Sequence, residues 1–223
     1  MVNIFLKAFV ISLFLFAIGI AVGIGIEQVN TSGFVVKTSS IEDSIQQIEL
    51  EMLYFQTLNS SNSCDFLNSV LVKTNNNLDL LSGQLEKYSD KNVIFSENVL
   101  DVKAKYSSLL IKSWLLQEKI KSMCGSQVTT ILYFYNPINC DDCQVQGNVL
   151  SLLKSSFKEK LMVYPLDVRL DVDMIKILMN RYNVTSLPSV VVDSNTVFKG
   201  IVGKDVLKGL ICNDMPSNLT ACM

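Results

Sequence analysis

Cys140 and Cys143 stand two residues apart in the stretch NPINCDDCQVQG, Asn136 to Gly147. That spacing suits a redox dithiol, a structural disulfide or half of a metal site. The rest of the composition narrows the choice. The chain has no histidine, which removes Ser-His-Asp and Cys-His nucleophile chemistry and the commonest transition-metal ligand. Cysteine, carboxylate, lysine and tyrosine are left, and six cysteines put cysteine first. A metal site would need Cys212 and Cys222 to join Cys140 and Cys143, and neither a metal nor an organic cofactor is expected. The net charge of −2, with no basic cluster, gives no electrostatic footprint for nucleic acid.

The compartment decides what six cysteines mean. Ala8 to Ile26 runs for 19 residues without a charge, long enough to cross a bilayer as a helix. Lys7 precedes it and Glu27 follows it, which places the amino end in the cytoplasm by the positive-inside tendency. A cleaved signal peptide with a small-x-small site at Ala21-Val22-Gly23 is the alternative, and the length of the run favours the anchor. Either way the remainder is exported, where disulfides persist. Sequons at Asn30, Asn59, Asn183 and Asn218 are common by chance and add little.

Between the anchor and the cysteine pair the pattern is helical. Ile41, Ile45, Ile48, Met52 and Phe55 recur at spacings of four and three. So do Leu67, Leu71, Thr74, Leu78, Leu81, Leu85 and Tyr88, and then Val99, Val102, Tyr106, Leu109, Ser113, Leu116, Ile120 and Met123. Such spacing lays side chains on one stripe of a helix, and sustained runs suggest coiled-coil-like packing. The reading is three helices, the last two an antiparallel hairpin that turns near Asn92. The stripes either pack on one another or form a surface for a partner, including a second copy. Cys64 opens the second helix and Cys124 closes the third, so the hairpin brings them together. A disulfide is expected there, worth about 4 kcal/mol in the chain-entropy model.

Gly125 ends the helical region. Short apolar runs follow. Val128–Tyr135, Leu161–Val168, Ser189–Asp193 and the run from Thr196 read as strands, with Pro165 marking an edge or an irregularity. Val145–Phe157, Asp171–Tyr182 and Lys204–Cys212 read as helices, with Asn183 at a C-terminal cap. The order β-α-β-α-β-β-α implies an α/β fold with a partly parallel sheet covered on both faces.

That order, with C-x-x-C directly after the first strand, resembles the thioredoxin fold over roughly Gly125 to Cys212. NVTSLPSVVV resembles the cis-proline loop of that family, which implies that Leu187 and Pro188 bind substrate opposite the cysteines. The resemblance implies Cys140 at a helix N-terminus, where free N–H groups and the dipole favour the attacking thiolate, and Cys143 as the resolving cysteine. This chain departs from the better-known members in three places. Asn139 replaces the usual aromatic, Asp141-Asp142 fill the dipeptide, and Phe134 stands where a buried acid is usual. Two carboxylates beside Cys140 should raise its pKa and make the couple more reducing.

The resulting expectation has five parts: a transmembrane signal-anchor in 1–26, a linker in 27–37, a hairpin or coiled-coil segment in 38–124, a thioredoxin-like domain in 125–212 and a tail in 213–223. The expected function is thiol–disulfide exchange on exported proteins by a single-pass membrane enzyme with an unidentified redox partner. The alternative is a redox-silent scaffold that uses its helices for binding or self-association. Cys212 and Cys222 read as a disulfide pinning the tail, or as a second redox pair that relays electrons.

Overall fold

A computed structural model of the protein describes residues 8–9, 12–20, 46–55, 63–87, 97–213, 215 and 221–222. It divides into two compact units, Met1–Gln47 and Ile48–Met223. In the first unit, residues 8–9 and 12–20 are helical, with Phe9, Phe14 and Phe16 among its exposed apolar side chains. Among the described residues no helix is long and apolar enough to cross a membrane. The expected span 8–26 is described only in those two pieces. The expected linker 27–37 lies outside the described residues.

Three helical pieces follow: α1 over residues 46–55, of which 48–55 belong to the second unit, then α2 over Ser63–Lys87 and α3 over Glu97–Cys124. A disulfide from Cys64, at the start of α2, to Cys124, at the end of α3, makes these two helices antiparallel. α2 buries Leu67, Val70, Thr74, Leu78 and Leu81, a three-four stripe facing α3. Leu71 and Leu85 of the expected stripe are half-buried, and Tyr88 lies outside the described residues. α1 buries Ile48 and pairs Glu51 with Lys73 and Glu49 with Lys112, each at 2.6 Å.

α3 is not one seam of a coiled coil. It buries Leu109, Leu110, Ile111, Ser113, Trp114, Leu116 and Gln117, more of its circumference than a single stripe can cover. The reason is a second partner, because α3 packs against β1 and β2 as well as against α2. Its last turns are also tied down by polar contacts. Glu118 accepts from the Thr130 hydroxyl at 2.6 Å and the Ser194 hydroxyl at 2.8 Å, and Lys121 pairs with Asp193. From Ile48 onward, the expected segment 38–124 and the expected domain 125–212 therefore share one compact unit.

Gly125, at φ +68°, stops α3 by taking the left-handed conformation that a Cβ penalises. Then come β1 (Thr129–Tyr135), α4 (Asp141–Phe157), β2 (Leu161–Asp167), α5 (Asp173–Arg181), β3 (Ser189–Val192), β4 (Thr196–Lys199) and α6 (Lys204–Asn213). This is the β-α-β-α-β-β-α order read from the sequence. The sheet order is β2-β1-β3-β4, with β1 parallel to β2 and both other pairs antiparallel. β2 lies at an edge, where Pro165 costs no ladder bond to an outer neighbour. Asn183, at φ +50°, follows the end of α5, where left-handed asparagine is tolerated.

Six of the seven residues of β1 are buried, which requires cover on both faces. One face carries Ile131, Tyr133, Leu161, Val190 and Val192 against Leu150, Leu153 and Phe157 of α4 and Leu207 and Ile211 of α6. By the two-residue period, Leu132, Phe134, Tyr164 and Val191 point to the other face, and all are buried.

Candidate active site

The site grows from the end of β1. After Tyr135 the chain must turn before α4 can start. Asn136 makes that turn by accepting the Ile138 N–H on its side-chain oxygen at 2.9 Å. Asn139 then takes φ +53°, a conformation that asparagine tolerates and most side chains resist. This gives a backbone reason for asparagine where the resembling family carries an aromatic.

Cys140 is the N-cap of α4. Its sulfur accepts the Cys143 N–H at 3.2 Å, and its carbonyl accepts the Cys143 and Gln144 N–H groups at 3.1 and 3.3 Å. The sulfur therefore sits where free helical N–H groups and the positive end of the dipole are concentrated. Cys140 and Cys143 form a disulfide with Cα atoms 5.2 Å apart. Cys140 is half-buried, while Cys143 is 3% exposed. The first cysteine is partly accessible and the second is sheltered. Asp141 and Asp142 occupy the first turn, both exposed.

Tyr133 supports the pair from below. Its hydroxyl donates to the Cys143 carbonyl, and its ring stacks on Tyr135 at 5.2 Å between centroids. Burial pushes both phenols up to about 12, so both remain protonated donors at neutral pH. A cleft of about 450 Å³ opens beside the disulfide. The two tyrosines line it, together with Asn136, Asn139, Gln144 and Asn148, and Asp141 is its charged wall.

Leu187 and Pro188 sit at the same end of the sheet, since Ser189 pairs with Phe134 of β1 and the β1–α4 loop leaves just beyond that point. Their peptide bond is cis. Pro188 is buried, and its carbonyl accepts the Gly200 N–H at 2.7 Å. Neither residue lines the tyrosine cleft.

The other cysteines go elsewhere. Cys64 pairs with Cys124, and Cys212 with Cys222. Cys212 and Cys222 pack partly buried against the α4–α6 core, so they bond each other rather than joining the Cys140–Cys143 pair around a metal. Among the described residues no cluster of three or more cysteines or carboxylates could hold a metal ion.

Two polar groups near the site escaped the sequence reading. Gln146 is fully buried, and its side-chain oxygen accepts the Val202 N–H at 2.8 Å. It ties α4 to the segment before α6. The signal was present, because Cys143, Gln146, Leu150, Leu153 and Phe157 form the buried stripe of α4. Asp167 is also buried, at the end of β2 in register with Tyr135. Arg169 holds it through Nε at 3.1 Å and Nη2 at 2.8 Å. By the two-residue period Asp167 lies on the Tyr133–Tyr135 face of the sheet, opposite to Phe134, and it is neutralised by the Arg169 guanidinium.

No family model matches the chain, and no curated protein does. Solved structures do. Chloroplastic thioredoxin z is similar at 15% identity over 44% of this chain and 88% of its own, with a TM-score of 0.35. A malarial protein is similar at 20% identity over 40% of this chain and 99% of its own, with a TM-score of 0.32. Thioredoxin-2, described as a component of malaria parasite protein secretion machinery, is similar at 20% identity over 39% of this chain and 82% of its own, also with a TM-score of 0.32.

Proposed function

We propose that this protein is a thioredoxin-like thiol–disulfide oxidoreductase, held at a membrane by Ala8–Ile26 and acting on exported proteins. The observation that carries the reading is the asymmetry of the pair. Cys140 is reachable at a helix N-terminus, and Cys143 is buried one turn away. In the reducing direction the Cys140 thiolate attacks a substrate disulfide, forms a mixed disulfide and releases one substrate thiolate. Cys143 then attacks the Cys140 sulfur, releases the second substrate thiolate and leaves the Cys140–Cys143 disulfide. In the oxidising direction a substrate thiolate attacks Cys140 of that disulfide and expels Cys143. A second substrate thiolate then displaces Cys140 and closes the substrate's bond. A separate dithiol or disulfide partner resets the pair. The exporting compartment favours oxidation, and Asp141 with Asp142 favours reduction.

Cys143→Ser tests the exchange. The variant is expected to hold mixed disulfides to other proteins through Cys140, visible on non-reducing gels and released by reductant. A variant that captures nothing, while Cys140 remains alkylatable, would sink the reading. The anchor has its own test. Alkaline extraction should leave the full chain in the membrane pellet, and release into the supernatant would refute the span.

A further inference from the structure

The cleft beside the disulfide has a composition that selects its guest. Its lining includes the stacked Tyr133 and Tyr135, of which Tyr133 is buried and Tyr135 is the partly exposed ring. Its rim carries the amide side chains of Asn136, Asn139, Gln144 and Asn148. Among the described residues Asp141 is its only charged lining residue, and no lysine or arginine lines it. The nearby guanidinium of Arg169 is engaged in two bonds to Asp167. Aromatic faces attract cations, amide oxygens accept their N–H groups, and a carboxylate at the mouth adds Coulomb attraction. The same wall repels an acidic side chain and offers no counterion to one.

Resting on the exchange reading, we propose that this cleft is a subsite for a basic side chain, lysine or arginine, adjacent to the substrate cysteine. A residue next to a cysteine bonded to Cys140 lies within a side chain's length of Asp141. The volume of about 450 Å³ falls in the range of ordinary ligand pockets and admits an arginine. The cysteine supplies the chemistry, and its neighbour supplies the selectivity.

The test uses the full chain with its disulfides formed and short peptides that carry one cysteine. The residue beside that cysteine is arginine, lysine, leucine or glutamate. At matched thiolate concentration, the rate of opening of Cys140–Cys143 is read by alkylation and mass. The arginine and lysine peptides are expected to react about 5- to 10-fold faster than the glutamate peptide at low salt. The leucine peptide should fall between them. Asp141→Asn should shrink the ratio, as should high salt. Asp142→Asn, which makes the same charge change outside the cleft, should shrink it less. The ratio is decisive, because losing a carboxylate beside Cys140 also alters its thiolate and hence every rate. Equal rates for arginine and glutamate peptides, or a ratio unmoved by Asp141→Asn, overturn the subsite and leave exchange standing. If no peptide opens the pair, the exchange reading fails and the subsite fails with it.

Discussion

The disulfides Cys64–Cys124 and Cys140–Cys143 are the same bond in different settings. The first closes a separation of 60 residues and joins two long helices. The second closes a separation of three at one helix N-terminus. In the chain-entropy model the long loop is worth about 4 kcal/mol and the short one about half that. Opening the short bond leaves the fold's long-range contacts in place. Opening the long one removes the covalent restraint between the start of α2 and the end of α3. A bond that is cheap to break and has one reachable sulfur suits exchange, and a bond that restrains a large loop suits stability.

The largest expected effect is on chemistry. Cys140→Ser should lower exchange by on the order of a thousandfold or more, since it removes the attacking sulfur. Stability to denaturant should fall by no more than about 2 kcal/mol, and a larger loss would show that the short bond is structural. Next comes the contrasting variant. Cys64→Ala with Cys124→Ala should lower unfolding free energy by up to about 4 kcal/mol, read from denaturant midpoints. Exchange by the folded fraction should persist. Gln146→Leu should cost about 1–3 kcal/mol by leaving the Val202 N–H without a partner, and calorimetry would show it as a lower midpoint.

The tyrosines give a pH test. Burial raises Tyr133, Tyr135 and Tyr164 to about 12, against about 10 when unfolded. Their contribution to stability is complete below pH 10 and is lost as pH climbs through about 12. Tyr164→Phe should flatten that decline in alkaline denaturation curves, and an unchanged slope would reject the assignment. Asn139 gives the smallest effect in its glycine variant. Glycine there should be near neutral, while valine should cost about 1–3 kcal/mol by opposing φ +53°.

Much of the sheet was legible because its strands are short β-branched and aromatic runs bounded by left-handed stops. Gly125 and Asn183 take the positive φ their residue types suggest. What the sequence concealed is α3. A periodicity argument finds one stripe, and a helix buried against both α2 and the sheet places Leu110, Ile111 and Trp114 between the stripe positions. These residues are the sign that α3 continues into the core. At the site, Cys140 and Cys143 stand out by type and spacing. Asp167 does not, because its burial depends on a strand register that no local pattern encodes. The tyrosine cleft likewise exists only once β1 and α4 are packed.

The most direct measurement is a redox titration of the full chain in dithiol buffers, with alkylation and mass counting the cysteines opened at each potential. Cys140 and Cys143 should open together while the other four stay bonded. A midpoint near −270 mV would mark a reductant, and one toward −120 mV an oxidant. Six cysteines that open together, only as the protein unfolds, would contradict the assignment of Cys140–Cys143 as a working redox centre.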